Sequence, residues 1–286
     1  MQHLAPEDSS GLSQGAAVLE FRASSKPPVR VDLALDDAPS ADPSSQRSPL
    51  KSSNPAVLPH DRPIIVTIDG PAGTGKSSVA RTLAARLGLD FLDTGSMYRA
   101  AAAIVIDRKI NREDHQAIVA TVRDADLHFD WSTDPPQILA WDHPLNGRIR
   151  AADVTAIVSP IAGIALLREL MVARQREIAR QHARLVSEGR DQGSIVFPHA
   201  AIKFYLDASP KVRCARRAEQ LRASGQRPDE AALLHEIIER DLSDSSREVG
   251  PLVCPMDATR IDTSGLTFEQ VVTTLEQHVR EAILSN

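Results

Sequence analysis

The eight residues Gly70-Pro71-Ala72-Gly73-Thr74-Gly75-Lys76-Ser77 constrain this chain more than any other stretch. They fit the pattern G-x-x-x-x-G-K-[ST] and follow Ile64-Ile65-Val66-Thr67-Ile68, a β-branched run suited to a strand buried on both faces. Behind them Val79, Leu83 and Leu87 recur at i, i+4 and i+8, and Gly88 supplies a helix stop. A strand, a glycine-rich turn and a helix in that order focus backbone amides and a helix N-terminus on one point. That is a cradle for a phosphate chain, and a Cβ at its glycines would obstruct the approach. The pattern places Lys76 at the β- and γ-phosphates and the Ser77 hydroxyl on Mg²⁺, with Ser78 at the edge of the nucleotide contact.

The rest of the chain from Pro63 onward alternates strands and helices. Phe91-Leu92, Leu185-Val186 and Ile202–Leu206 read as short strands, the last two each followed by helical sequence. Ser209-Pro210 is a helix N-cap and first-turn pair, and Thr267 with Gln270 forms a capping-box signature before the stripe Val271, Leu275, Val279, Ile283. Such alternation implies a parallel sheet covered by helices. Between the halves, Leu127–Trp131 and Gln137–Trp141 flank Asp134-Pro135-Pro136 and read as an inserted hairpin, after which one helical pattern runs through Ile161–Ile178.

Composition limits the partners. Thirty-three basic against 38 acidic residues give a net charge of −5, which excludes a nucleic-acid polymer or an anionic membrane as the default partner, so phosphate chemistry must rest on a local basic cluster. Cys214 and Cys254 are read as free thiols of a reducing compartment. No apolar run approaches the roughly 18 residues of a membrane span, and Glu7 and Asp8 stand where a secretory signal would be basic. The expected location is cytoplasmic. Residues 1–60, rich in Ser, Pro and Asp, read as a disordered extension preceding one domain over 61–286; within the extension Val29–Leu35 alternates as a half-buried strand would, a pattern that chance also produces. Nine histidines form no metal-binding array, and no zinc site is expected.

Three further motifs follow strands or close a helix: Asp93-Thr94-Gly95-Ser96-Met97-Tyr98-Arg99, Glu188-Gly189-Arg190-Asp191-Gln192-Gly193, and Glu239-Arg240-Asp241-Leu242-Ser243-Asp244-Ser245-Ser246-Arg247. In doubly wound sheets the loops at the carboxyl ends of strands share one crevice, so the first two point at the cradle. Together with the helix RELMVARQR and the extension SIVFP these motifs resemble bacterial cytidylate kinases from about Pro63 to the C-terminus, residues 1–60 lying outside the likeness. Thr94 replaces the serine of some members, and Ser77-Ser78 stand where others carry Gly-Thr or Ser-Thr; both changes keep a hydroxyl.

The resemblance implies an α/β fold of the P-loop NTPase type. Its doubly wound, five-stranded parallel sheet would carry an acceptor-binding insertion within about 94–183 and a helical lid within about 210–247. It implies an enzyme that moves the γ-phosphoryl group of ATP, with Mg²⁺, onto CMP and dCMP; a monomer is expected, though the sequence does not give the oligomeric state. Thr94, Arg99, Arg240 and Arg247 would then surround the acceptor phosphate and sugar, with Asp244 on the sugar hydroxyls; Ser159, Arg168 and Asp191 would read the base, and Arg190 would line the acceptor pocket. Lys76, Arg99, Arg240 and Arg247 would carry the chemistry.

Chemistry supports these roles independently. The acceptor is already an anion, so no base need strip a proton; two polyanions must be neutralised and aligned, which a bidentate guanidinium does well. A carboxylate accepts from the cytosine amino group and would face a carbonyl oxygen on uracil. Plainer readings stand beside these. Arg174, Arg176 and Arg180 read as a solvated face, Arg190-Asp191 as an ion pair, Asp69 as a loop former, and Arg213, Arg216 and Arg217 as either a surface face or phosphate ligands of the lid. A kinase for UMP, AMP or shikimate shares the architecture, and a regulatory nucleotide switch, which would turn over slowly and ignore any nucleoside monophosphate, is the rival from another class.

Overall fold

The computed structural model describes residues 62–284. The expected extension over 1–60, with its strand at Val29–Leu35, lies outside the described residues. Five strands, β1 (Ile64–Asp69), β2 (Asp90–Asp93), β6 (Arg184–Glu188), β7 (Ile202–Asp207) and β8 (Thr259–Asp262), form one sheet in the order β2-β6-β1-β7-β8. Every pairing in it is parallel. The expected five-stranded, doubly wound sheet is present.

β1 lies at the centre, and its alternation divides the molecule. Ile64, Val66 and Ile68 point into one core with α1 (Lys76–Leu87) and α8 (Phe268–Leu284), where Val79, Leu83, Leu87, Val271, Leu275 and Val279 are all buried. Ile65 packs on the opposite core, which is built by α2 (Thr94–Asp107), α3 (His115–Asp124), α4 (Ala152–Ala162) and α5 (Ala165–Gln181). Thr67 and Asp69 are polar and buried near the carboxyl end of the same strand, where the crevice opens. The Gly88 stop adopts a left-handed conformation, and Ser209 and Thr267 cap their helices as expected.

The middle of the chain differs from the expectation in two ways. The inserted hairpin has a third strand: β3 (His128–Asp130), β4 (Gln137–Ala140) and β5 (His143–Pro144) make a small antiparallel sheet. The helical pattern through Ile161–Ile178 is two helices, α4 and α5, broken at Gly163-Ile164 and bent by 97°. The break has a purpose in packing: it lets Ile161 and Leu167 both reach the core while Arg168 turns toward the crevice. No single helix among the described residues is long and apolar enough to cross a membrane.

After β7, α6 (Pro210–Ala223) and α7 (Glu230–Ser245) form a hairpin beside the carboxyl end of the sheet. Arg213 on α6 pairs with Asp241 on α7, and Ser159 on α4 meets Asp244 on α7 at 3.3 Å.

Candidate active site

Three glycines shape the loop between β1 and α1. Gly70, Gly73 and Gly75 have φ of +144°, +83° and +90°, and a Cβ on Gly70 would stand 2.0 Å from the Leu206 carbonyl oxygen. Both the turn and its approach to β7 therefore require glycine. Gly75 caps α1, so the helix begins at Lys76 and its free amides face the crevice. Lys76 lies back across the loop, donating to the Pro71 carbonyl at 2.7 Å, and Thr74 donates to the same oxygen at 3.2 Å. Burial, with Arg190 nearby, pushes the Lys76 ammonium down to about 7. An arriving phosphate anion would reverse that shift, since an opposite charge favours the protonated form.

Ser77 Oγ donates to Glu188 Oε1 at 2.7 Å. Beside it Asp93 caps α2 through Ser96 N at 3.0 Å, and desolvation together with the Glu188 charge pushes its carboxyl up to about 7. Asp69 is also pushed up to about 7, by burial against the hydrogen bonds it accepts from Gln192 N and Gly193 N. Asp69 holds the first turn of the π-helical segment Gln192–Val196 rather than the loop that follows its own strand. Gly193 permits this closeness, because a Cβ there would lie 2.9 Å from Thr67 Oγ1.

Opposite the loop, four arginines from four segments converge. Arg190 follows β6 and donates through Nε to Asp244 Oδ2 at 2.8 Å. Arg247 donates to Asp244 Oδ1 at 2.5 Å and to Ser159 Oγ at 3.2 Å. Arg99 on α2 donates to the Ile149 carbonyl at 3.2 Å and to Thr155 Oγ1 at 3.0 Å. Arg240 on α7 is half-buried; among the described residues it has neither a hydrogen bond nor an ion pair, and its Nε is wholly buried. Burial, then Arg190, Arg99 and Arg247, push it down to about 10, with Asp244 opposing. A guanidinium held out of water among like charges is costly unless an anion completes it.

Arg168 and Asp191 form a buried ion pair beneath this ring, only 3% of either side chain being exposed. Arg168 also donates to the Ala162 carbonyl at 3.0 Å and lies over the Tyr98 ring, 5.3 Å from its centroid. Arg190-Asp191 is thus not an ion pair of neighbours; each residue pairs with a different helix. Thr94 is buried and donates to the Glu188 carbonyl at 2.7 Å, which ties α2 to β6.

The structure therefore brings the loop residues, Arg99, Ser159, Arg168, Arg190, Asp191, Arg240, Asp244 and Arg247 to one crevice. Several residues were invisible as site members in the sequence. Arg150, in the 3-10 turn Arg148–Arg150, adds positive charge beside Asp93 and Arg99. Glu188 accepts from Ser77, and Asp93 places a second carboxylate beside Glu188. Arg176 is exposed, as the solvated reading has it, and it also donates to the carbonyls of Ile195 and Val196 at the end of the π-helical segment. Arg174 pairs with Asp126, and Arg180 with Glu177, as surface residues. Of the three α6 arginines left open, Arg213 is buried, Arg216 donates to the Thr263 carbonyl at 2.6 Å, and Arg217 is exposed but close enough to weigh on Arg99.

A phosphate loop on the central strand of a doubly wound parallel sheet, facing an arginine pocket with an unneutralised member, defines a P-loop phosphotransferase of the small-molecule kinase class. The family model for cytidylate kinase matches residues 66–281. Cytidylate kinase from Nocardia farcinica is 42% identical over 228 residues, covering 79% of this chain and 97% of that one. The cytidylate kinase of Methylococcus capsulatus is 41% identical over 208 residues, covering 73% and 93%. That of Corynebacterium diphtheriae is 42% identical over 212, covering 74% and 92%. The chain belongs to the cytidylate kinase family.

Proposed function

We propose that this protein transfers the γ-phosphoryl group of ATP to CMP, and to dCMP, giving ADP and CDP or dCDP. The observation that carries the reading is Arg240, a half-buried guanidinium whose buried Nε has no partner among the described residues, set among Arg99, Arg190 and Arg247 in a chain of net charge −5. A phosphate monoester supplies the missing anion and, already ionised, acts as nucleophile without a base.

In this reading Gly70–Ser78 hold the ATP phosphates, with Lys76 leaving the Pro71 carbonyl for the β,γ-bridge. Arg99, Arg240 and Arg247, with Thr94 and Arg190 beside them, hold the acceptor phosphate in line. Asp244 accepts from the sugar hydroxyls while still orienting Arg190 and Arg247. Asp191 accepts from the cytosine amino group, and Arg168 and Ser159 donate to the ring oxygen and nitrogen. Residues 94–183 form the acceptor region and 210–247 the lid.

Mg²⁺ fits the donor set, because the Ser77 hydroxyl stands 2.7 Å from a Glu188 carboxylate, with Asp93 beside that carboxylate, all hard oxygen donors. Ser77, Glu188 and Asp93 would hold the ion, and with ATP it would supply positive charge to offset the negative charge of the phosphates. The protein acts as a cytoplasmic monomer. ATP consumption measured against a panel of nucleoside monophosphates tests the reading: turnover with CMP and dCMP well above UMP and AMP is expected, and rapid turnover with UMP alone removes the cytosine assignment.

A further inference from the structure

Arg213 lies outside the acceptor ring, yet it is 2% exposed and every nitrogen of its guanidinium has a partner. Nε donates to the Ala208 carbonyl at 2.9 Å, Nη1 donates to the Ala72 carbonyl at 3.0 Å, and the fork faces both oxygens of Asp241. Ala72 stands in the phosphate loop, one residue before Gly73, and the Arg213 stem packs beside that glycine, at ordinary contact distance from where a Cβ would stand. Asp241 is on α7, directly after Arg240 and three residues before Asp244. One side chain therefore links the helix that carries the acceptor residues to the donor loop.

We propose that Asp241 is a positioning residue: it holds Arg213 against the phosphate loop, and through that contact the state of the acceptor helix sets the affinity for the donor nucleotide. This rests on the assignment of the ring to the acceptor phosphate. An anion that neutralises Arg240 fixes the register of α7, and Asp241, rigidly on the same turn, carries that register to Arg213 and the Ala72 carbonyl. Because the fork is bidentate, one carboxylate oxygen cannot replace two, and an ammonium cannot replace the fork. Coupling of this kind is reciprocal, so each substrate changes the affinity of the other by the same factor.

The test compares the wild type with Asp241→Asn, Arg213→Lys and the double variant. Kinetics in ATP and CMP are measured together with calorimetric binding of a non-hydrolysable ATP mimic with and without CMP. Asp241→Asn is expected to raise the ATP KM by about tenfold while the CMP KM stays within about twofold, and to bring the CMP-dependent change in mimic affinity close to one. Adding it to Arg213→Lys should change the ATP KM by less than about twofold, since both act through one contact. An unchanged ATP KM, an equal rise in both KM values, or additive effects of the two substitutions overturns the proposal. Should Asp241→Asn fail to fold, Arg213→Lys alone must show the same split or the proposal falls. A wild type whose ATP turnover ignores CMP would sink the assignment of the acceptor instead, while mimic binding to Asp241→Asn still decides whether Asp241 positions the loop.

Discussion

Arg190 Nε donates to Asp244 Oδ2 across 2.8 Å, joining the loop after β6 to the last turn of α7. Asp244 holds Arg247 and Ser159 as well, and only 2% of its side chain is exposed. Its neighbours Arg190 and Arg247 keep its carboxyl below the usual range despite the opposing cost of burial, so it remains an anion where the acceptor sugar would lie.

Removing that carboxylate should loosen two arginines at once. Asp244→Ala is expected to raise the CMP KM by about 10- to 100-fold, about 1.4 to 2.7 kcal/mol, with a smaller effect on the ATP KM. Steady-state kinetics in both substrates check this. Equal changes in the two KM values would mean that Asp244 serves the fold and not the acceptor.

Lys76 stands apart as the loop's only cation. Lys76→Ala should lower kcat by about 10²- to 10³-fold with the fold retained, as loss of a preorganised donor to transition-state charge does. Turnover assayed beside circular dichroism makes the check, and intact ATP turnover would refute the loop assignment.

Specificity for the base should reside in the buried pair below the ring. Asp191→Asn replaces one acceptor oxygen with a donor, so discrimination between CMP and UMP should fall by about 1–3 kcal/mol. The ratio of kcat/KM for the two nucleotides reads this directly. A ratio that does not move would place base reading elsewhere.

Stability should depend on pH in a defined window. Asp69 and Asp93 have carboxyls raised from 3.8 to about 7, so both bind protons more tightly folded than unfolded. Their contribution is fully present below about 4 and lost as pH rises to about 7. Lys76, lowered from 10.5 to about 7, contributes in the opposite sense: its part is full above about 10.5 and lost as pH falls through about 7. The nucleotide-free protein should therefore lose stability from pH 5 to 7 and regain it above. Asp93→Asn, which keeps the cap oxygen for Ser96, should flatten the lower limb. Thermal midpoints across pH test this, and a variant with the wild-type profile would contradict it.

The sequence was most informative where local chemistry and long-range structure agree. The loop glycines, Gly88, Ser209 and Thr267 each answer a backbone need that only a few residue types meet, so they were legible without the fold. β8 was not. At this sheet edge only Ile261 is buried, while Thr259, Arg260 and Asp262 face outward and carry no strand-like pattern. The break between α4 and α5 was hidden because Gly163 and Ile164 interrupt the helical period only briefly. Arg150 and Glu188 were missed as site residues because their role depends on which elements meet, and no spacing within one element encodes that. The same holds for Arg213, where the sequence left a surface face and a phosphate ligand open and the fold supplied a third role beside the loop.

At the centre of the account is the claim that the arginine ring binds the acceptor through its phosphate. Calorimetric binding of CMP and of cytidine, to the wild type and to Arg240→Ala, tests it most directly. The account predicts that CMP binds the wild type at least about 100-fold tighter than cytidine, about 2.7 kcal/mol, and that Arg240→Ala erases most of that gap while leaving cytidine affinity unchanged. An Arg240→Ala protein that still prefers CMP by the full wild-type margin would contradict it.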